Sequence, residues 1–204
     1  MTLRTLHRTT AWLIALFAVL HLSNHAASLL SIPTHIAFMD VARQFYRQPL
    51  VEMTLLLSVA MQIGSGARLL LRGWRKRRGA VAWLQAGSGA VLLGFLLVHV
   101  SAVLVGRWLL HLDTNFYFSA AGFHVPPFPY LFVPYYFLGV LAWFTHLGCA
   151  AYWHVGHVKA PSARRWVLAL PMLLGAVLAG LLVLSLAGKI QPLVVPAKYL
   201  ATYG

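Results

Sequence analysis

Five long apolar segments constrain this chain more than any other feature of its sequence. They cover approximately residues 10–32, 49–71, 81–110, 129–153 and 166–187. Each reaches the ~20 residues that a helix rising ~1.5 Å per residue needs to cross a ~30 Å hydrocarbon core. The segments lack the alternation of barrel strands, and only 9% of the 204 residues are charged. The sequence therefore predicts an all-α integral membrane bundle of five transmembrane helices, in a single domain spanning residues 1–204.

The first segment follows two arginines, Arg4 and Arg8, as the apolar core of a signal peptide follows its basic residues. It is longer than such a core, contains two histidines and is followed by four further segments. We therefore interpret it as a retained helix, and expect the mature chain to begin near Met1.

Basic residues are unequally divided between the two ends of the predicted helices. Eleven of the 16 lie on the side of the N-terminus, namely Arg4, Arg8, Arg68, Arg72, Arg75, Lys76, Arg77, Arg78, Lys159, Arg164 and Arg165. The other five are Arg43, Arg47, Arg107, Lys189 and Lys198. The positive-inside tendency predicts a multi-pass protein of the inner (cytoplasmic) membrane, with its N-terminus in the cytoplasm and its C-terminus outside.

The same distribution accounts for the net charge of +13 without a nucleic-acid partner. The simplest role of the basic loop at residues 72–78 is a topology anchor that contacts anionic lipid head groups. The alternative is a docking surface for an acidic soluble partner.

The longest connections, residues 33–48 and 111–128, lie on the outer side and can cap the bundle. The tail from Lys189 contains Pro192 and Pro196, so we do not expect it to be helical throughout.

A weak internal repeat relates the first four segments. His21 follows His7 by fourteen residues in the first segment, and His99 follows Gln85 by fourteen residues in the third. In the second and fourth segments, Gln62 and His146 are each followed by small residues. The pattern indicates two helix hairpins of similar design and a fifth helix.

His21 and His99 are predicted near the middle of the membrane, about a dozen residues from the outer ends of two helices that run in the same direction. Their imidazoles can therefore meet at one depth and bind the two axial positions of a haem b iron. Such ligation leaves no open iron position and suits electron transfer. The alternative is a pair of histidines hydrogen-bonded within the bundle, but ionisable groups inside a membrane are more often functional.

His146 has no histidine partner at the corresponding depth, because Gln62 occupies that position. A second haem site at these residues could be empty, could hold five-coordinate haem, or could be filled by hydrogen-bonded side chains. His25 lies one turn beyond His21. It could replace His21 as a ligand, contact a haem propionate or a quinone, or be hydrogen-bonded within the bundle, and we favour the last two over ligation. The remaining histidines fit interfacial positions: His7, His35, His111, His124, His154 and His157.

Other chemistry finds little support in the sequence. No HExxH motif or Cys/His quartet predicts zinc, and the single cysteine, Cys149, is consistent with packing. The three carboxylates, Asp40, Glu52 and Asp113, are predicted near the outer boundary and form no convincing acid/base pair. We therefore assign no catalytic residues, and expect any chemistry to come from a cofactor or a partner.

Taken together, these residues resemble the five-helix membrane-anchor cytochrome b of succinate dehydrogenase and fumarate reductase complexes. The resemblance covers residues 8–156 and is carried by four pieces: residues 19–22 with His21, residues 46–52 (Tyr-Arg-Gln-Pro-Leu-Val-Glu), residues 85–99 from Gln85 through Phe95 to His99, and the helix with His146. Dihaem members of that family pair ligands of the first and third helices and of the second and fourth. By this resemblance His21 and His99 hold one haem, and Gln62 and His146 stand at the other.

The resemblance implies a subunit that anchors a flavoprotein and an iron-sulfur subunit on the cytoplasmic face and exchanges electrons with membrane quinone. Phe144 stands where some members carry an intramembrane carboxylate, so proton movement through the fourth helix is not predicted. The candidate quinone-binding residues are Arg8, Arg68, Ser88 and Tyr152 near the inner side, or His25, Tyr46 and Arg47 near the outer side.

Two rival hypotheses stay open. The chain could be a non-redox membrane scaffold or lipid-binding protein that has lost its haem, as Gln62 suggests. It could also be a stand-alone quinone- or haem-handling protein without dehydrogenase partners. A homo-oligomer is compatible with each.

Overall fold

The computed structural model describes residues 2–157 and 160–204. Met1 and Lys159 lie outside the described residues, as does the side chain of His157. The helices of the described part are α1 (Leu3–Ala27), α2 (Ile32–Tyr46), α3 (Pro49–Gly73), α4 (Ala80–Trp108), α5 (Phe116–Ala121), α6 (Pro129–His154), α7 (Pro161–Leu186) and α8 (Ala197–Leu200).

Five of these helices, α1, α3, α4, α6 and α7, are long and apolar enough to cross a membrane. The prediction of an all-helical chain with five apolar spans is therefore confirmed, and it indicates a multi-pass membrane protein. The bounds of α3, α4 and α6 agree with the predicted segments within two residues, whereas α7 begins at Pro161 instead of 166.

The first span differs most from its prediction, because α1 is shifted towards the N-terminus. Its first turn is capped by the Thr2 hydroxyl, which accepts a hydrogen bond from the Thr5 amide at 3.1 Å. The helix ends at Ala27, before a turn that leads into α2. His7 consequently lies within the span rather than at its edge, and His21 lies six residues, about 9 Å, from the end of α1 rather than a dozen residues.

The segment after α1, predicted as a loop, is mostly helix α2. Ser31 caps this helix by accepting a hydrogen bond from the Thr34 amide at 3.1 Å, and Pro33 fits the first turn, where a missing N–H costs little. Ile32, His35 and Met39 form its buried stripe. The amphipathic spacing of these three residues explains why the segment is helical while lying outside the five spans.

The long helices form a ring in which α1 packs on α3, α3 on α4, α4 on α6 and α6 on α7, with a smaller contact between α7 and α1. Small residues allow the closest of these approaches. A Cβ atom at Gly148 would lie 3.0 Å from the Leu168 carbonyl oxygen, and one at Gly175 would lie 2.5 Å from the Phe144 Cβ. We call the end of the bundle where α1 begins the N-terminal side, and the opposite end the far side.

A cap built from α2, α5 and the C-terminal tail covers the far side. Its buried apolar cluster draws residues from three distant parts of the chain: Ile32, Phe116, Ala120, Ala121, Phe123, Leu186, Val195 and Tyr199. The tail contains only the short helix α8 among extended and turn residues, as predicted. Buried Ser28 and Ser185, whose hydroxyl oxygens are 2.9 Å apart, join the far-side ends of α1 and α7.

Ion pairs fix the same end of the molecule. Arg43 on α2 lies 2.8 Å from the Asp113 carboxylate, in the segment before α5. Arg107 near the end of α4 donates to both carboxylate oxygens of Glu52 near the start of α3. The first contact joins α2 to the segment before α5 within the cap, and the second joins the far-side ends of α3 and α4.

Candidate functional site

A cavity of about 250 Å³ lies under the cap, between α1, α4, α6 and α5. Four histidines line it: His21, His25, His35 and His99. The rest of the wall contains apolar residues, chiefly of α4 and α6, together with four tyrosines and four other polar residues: Tyr46, Tyr135, Tyr136, Tyr203, Asn24, Thr114, Asn115 and Ser119. The cavity therefore combines an apolar surface with a few convergent polar groups, as small-molecule sites do.

The structure brings His21 and His99 together, as their positions predict. Their ring centroids are 5.9 Å apart, with an interplanar angle of 72°. Each ring stacks on the phenylalanine one turn earlier in its helix: Phe17 on His21 at 5.5 Å and Phe95 on His99 at 5.0 Å. Tyr135 stacks on the other face of Phe95 at 4.8 Å. The two imidazoles are thus held by matching aromatic supports from α1 and α4.

The ring nitrogens of His21 and His99 form no hydrogen bond within the described part of the chain. In the described part of the chain, hydrogen-bonded imidazoles occur at His7, His35, His124 and His146, whereas His21, His25 and His99 have no hydrogen-bond partner. The three rings are half-buried in the described chain, and a polar group without a partner is costly within a membrane. The cavity is therefore suited to a ligand that binds these nitrogens.

The donor set fits a haem. Nitrogens bound to a metal at about 2 Å on opposite sides are ~4 Å apart, which puts the ring centroids ~6 Å apart, close to the 5.9 Å observed. A metal ion bound by protein alone takes about three or four protein ligands, and the described residues form no group of three or more His, Cys, Asp or Glu side chains suited to one. A haem iron needs only two axial ligands from the protein.

The cavity is smaller than the haem that its histidine pair could bind. Pockets for drug-sized molecules measure about 300–1,000 Å³, so a cavity of about 250 Å³ encloses only part of a macrocycle. Gly87 and Gly94 on α4 border open space, since a Cβ atom at either position would meet nothing within 4 Å.

His25 and His35 continue the cluster from His21 towards the far side. The His25 ring lies 4.7 Å from His21 and 5.3 Å from His35, between centroids. His35 is 2% exposed, and its Nε2 lies 3.2 Å from the Asn24 amide nitrogen. The Asn24 Oδ1 and His35 Nδ1 atoms are buried with no hydrogen-bond partner in the described residues. Both residues line the cavity, where one donor and one acceptor are therefore left unpaired by the described residues.

Arginines set the electrostatics of this rim. Burial, followed by the neighbouring Arg43 charge, lowers the pKa of His35 to about 4, so its ring is neutral at pH 7. Arg47 donates to the Thr114 hydroxyl at 3.5 Å. Burial, followed by the charges of Arg43 and Arg107, lowers the pKa of Arg47, although an arginine stays protonated at neutral pH. Asp113 and Glu52 offset the charges of Arg43 and Arg107, which leaves Arg47 as the guanidinium of this rim without an ion pair in the described residues.

The structure gives Gln62 and His146 different neighbours. The Gln62 amide nitrogen lies 3.3 Å from His7 Nε2, and its Oε1 accepts a hydrogen bond from the Thr10 hydroxyl at 2.7 Å. His146 instead lies against α4, with its Nδ1 3.2 Å from both the Ser88 hydroxyl and the Gln85 carbonyl oxygen. His7, predicted as an interfacial histidine, is the imidazole that contacts Gln62.

Three of the inner candidates for quinone contact have different surroundings. Arg8 borders a shallow depression on α1 with Thr5, Thr9 and Trp12, while Ser88 is engaged by His146. Tyr152 lies under the Arg164 guanidinium, 4.4 Å from the ring centroid. Of the outer candidates, His25 and Tyr46 line the histidine cavity.

Three polar residues of these sites were missed as functional candidates: His7, Asn24 and His35. The fourteen-residue spacing from His7 to His21 was a usable signal. The apolar stripe of α2 could have indicated a buried His35, whereas no sequence pattern indicates Asn24.

Comparison with protein-family models, curated proteins and solved structures finds no match to this chain.

Proposed function

We propose that this chain is a haem b-binding membrane-anchor subunit of a succinate/fumarate:quinone oxidoreductase-like complex. In this proposal His21 and His99 hold the haem, and the chain passes electrons between a flavoprotein/iron-sulfur partner and membrane quinone. The observation that carries the proposal is the pair of facing, aromatic-supported imidazoles within two spans, whose nitrogens have no partner in the described residues.

The chain's own residues fix, orient and shield the group. Phe17 and Phe95 hold the two imidazole planes from behind, which limits ring rotation. Tyr135 donates a hydrogen bond to the Phe95 carbonyl oxygen at 3.3 Å and holds the second support in place. The largely apolar surface of the cavity would limit the access of water to the group, and burial is one of the factors that set the redox potential of a haem. A bound haem supplies one-electron transfer.

Quinone is proposed to bind at the rim of the cavity, at Asn24 and His35. Their unpartnered Oδ1 and Nδ1 atoms offer one acceptor and one donor. A quinone carbonyl accepts a hydrogen bond and a quinol hydroxyl donates one, so this pair can bind either redox state. Arg47, beside Thr114 at the same rim, adds a positive charge that favours an anionic reduced headgroup.

Docking of the soluble partners is proposed on the N-terminal side, which is then cytoplasmic by the positive-inside tendency. Exposed basic side chains there include Arg72, Arg75, Lys76 and Arg78. Arg77 differs, because its guanidinium donates to the Leu70 carbonyl oxygen at 2.7 Å and lies over two tryptophan rings. The exposed members can meet acidic partner residues or lipid head groups.

The test is a reduced-minus-oxidised absorption spectrum, with haem-to-protein stoichiometry, on the chain purified in mild detergent. We expect a low-spin bis-histidine b-type spectrum that loses its haem in His21→Ala and in His99→Ala. His154→Ala, an exposed histidine at the end of α6, is the matched control and should keep the full spectrum.

A colourless protein after haem-replete expression would overturn the proposal in favour of a non-redox scaffold. Retention of all haem in both cavity variants would overturn the ligand assignment. Co-purification separates the remaining alternative: a haem-containing chain isolated from its native membrane without flavoprotein and iron-sulfur subunits would be a stand-alone haem- or quinone-handling protein.

A further inference from the structure

Helix α2 has two largely apolar faces, and the protein covers only one of them. Ile32, His35 and Met39 are buried against the rest of the molecule. On another side of the helix, Val41 is 70% exposed and Phe45 is 67% exposed. These two residues lie one turn apart, so their side chains form a single apolar surface. Adjoining apolar side chains of this size mark a contact surface when they are exposed.

A polar sector lies beside the exposed pair. The residues that directly precede the pair, Asp40 and Gln44, are rotated from it by ~100° about the helix axis, and both are exposed. Arg43 lies between this sector and the buried stripe. On the opposite edge, Phe38 and Ala42 connect the exposed pair to the buried stripe. The apolar arc of α2 is therefore wider than the part that the protein covers.

The length and the position of α2 place it along the membrane boundary. Its 15 residues extend over about 22 Å, which is too short to cross a ~30 Å hydrocarbon core. The helix joins the far-side ends of α1 and α3. The ion pair of Glu52 and Arg107 lies at the same end of the bundle, where charged residues are tolerated because the hydrocarbon core ends there. We therefore place α2 along the far-side boundary of the bilayer.

The chain passes directly from the exposed surface of α2 to an exposed apolar stripe on α3. The stripe has helical spacing and consists of Leu50, Met53, Leu57 and Met61. Because α3 is long and apolar enough to cross a membrane, acyl chains are the partner that this stripe requires. Leu50 is 74% exposed and lies five residues after Phe45. An interfacial amphipathic helix has this arrangement, with its apolar side at the boundary between head groups and acyl chains.

We propose that Val41 and Phe45 form a lipid-contact surface that inserts into the far-side leaflet, with acyl chains as its partner. The polar sector of α2 then faces the head groups and water. The opposite face of the helix contributes His35, Met39 and Tyr46 to the wall of the histidine cavity. One helix therefore separates that cavity from the lipid. This surface is independent of the proposed function, because it does not depend on the group that the cavity binds.

Cysteine labelling tests the surface, and the chain suits it because its single cysteine, Cys149, is 0% exposed. The unmodified chain is therefore the blank. The test variants are Val41→Cys and Phe45→Cys, and their matched controls on the polar sector are Asp40→Cys and Gln44→Cys. Each is placed in phosphatidylcholine/phosphatidylglycerol vesicles, with a charged, water-soluble maleimide on both sides of the membrane. We expect the test variants to react about tenfold more slowly, because a thiol in apolar surroundings forms little thiolate.

Spin labels on the same four cysteines identify what covers the surface. Oxygen concentrates among acyl chains, whereas a charged nickel chelate stays in water. Labels on Val41→Cys and Phe45→Cys should relax faster with oxygen and respond little to the chelate. Labels on Asp40→Cys and Gln44→Cys should show the reverse order.

Three results would overturn the proposal. Equal labelling of all four variants, with equal responses to the chelate, would place the whole helix in water. Protection of Val41→Cys and Phe45→Cys from both oxygen and the chelate, with dipolar broadening of their spectra, would show that a second copy of the chain covers the surface. Protection of all four labels from the chelate would contradict an interfacial position, because the polar sector would then be out of contact with water.

Discussion

Gly139 on α6 determines how closely this helix approaches the support of His99. A Cβ atom at this position would lie 2.3 Å from Phe95 Cδ2 and 2.4 Å from Phe95 Cε2. The Phe95 ring has little room to yield, because it is stacked between His99 at 5.0 Å and Tyr135 at 4.8 Å. Gly139→Ala should therefore force the ring against one of its two partners or separate α4 from α6.

The loss of stability in Gly139→Ala can be compared with the effect of a matched glycine-to-alanine substitution. Overpacking a close contact costs about 1–3 kcal/mol, while alanine is favoured over glycine in a helix by up to about 1 kcal/mol. Gly180→Ala on α7 isolates the second effect, because its Cβ atom would meet nothing within 4 Å. We expect Gly139→Ala to be about 1–3 kcal/mol less stable than Gly180→Ala, in denaturant unfolding followed by tryptophan fluorescence in detergent.

A double-mutant cycle identifies the clash itself. In a Phe95→Ala background the obstructing ring is absent, so Gly139→Ala should have the same effect as Gly180→Ala, and the coupling energy should equal the overpacking cost. Equal stabilities of the two single glycine variants would refute the reasoning, as would a Gly139→Ala penalty that persists without Phe95.

Three further predictions concern the far side. Because the pKa of His35 falls from 6.5 to about 4 on folding, the unfolded chain binds more protons than the folded chain between these pH values. The stability of the wild type should therefore be full above about pH 6.5 and decline towards pH 4. In His35→Gln, the midpoint of thermal unfolding should depend less on pH over that range. Glu52→Gln and Arg107→Gln should each destabilise the chain, while the double variant should lose less than their sum, because neither charge is then left alone; additive losses in denaturant unfolding would contradict this. Ser185→Ala should cost about 1 kcal/mol by leaving the Ser28 hydroxyl without its buried neighbour, measured in the same assay.

The sequence was sufficient for the spans because lipid imposes a simple rule on the backbone. A chain whose apolar runs reach membrane length must satisfy its own hydrogen bonds within them, and a helix does so locally. The bounds of α3 and α6 follow from Pro49 and Pro129, which mark their first turns. The start of α1 was misplaced because hydropathy weighs Arg4 and Arg8 against a helix, whereas the Thr2 cap decides where the helix begins.

The candidate site could be predicted only in part from the sequence, because topology does not determine how each helix is rotated about its axis. His21 and His99 could be paired because both lie on spans that run in the same direction, although His21 lies six residues from the end of α1 instead of the predicted dozen. The partner of Gln62 could not be found in that way, since α1 and α3 pack side by side and the rotation of each helix about its axis decides which side chains meet. The burial of His35 depends on the packing of α2 against α5, which is set by tertiary contacts with residues such as Phe116 rather than by a local sequence pattern.

The composition of the cap has a consequence for the order in which the molecule is assembled during synthesis. Its buried cluster needs Ile32, Phe116 and Tyr199 together, and Tyr203 also lines the histidine cavity. Tyr199 and Tyr203 leave the ribosome only after all five long helices. The helices are therefore made while the cavity beneath the cap is still open. If the proposed ligand is bulky, it would enter from the far side before the tail docks, and docking would then retain it. Truncation of the tail should in that case affect retention of the ligand more than insertion of the helices.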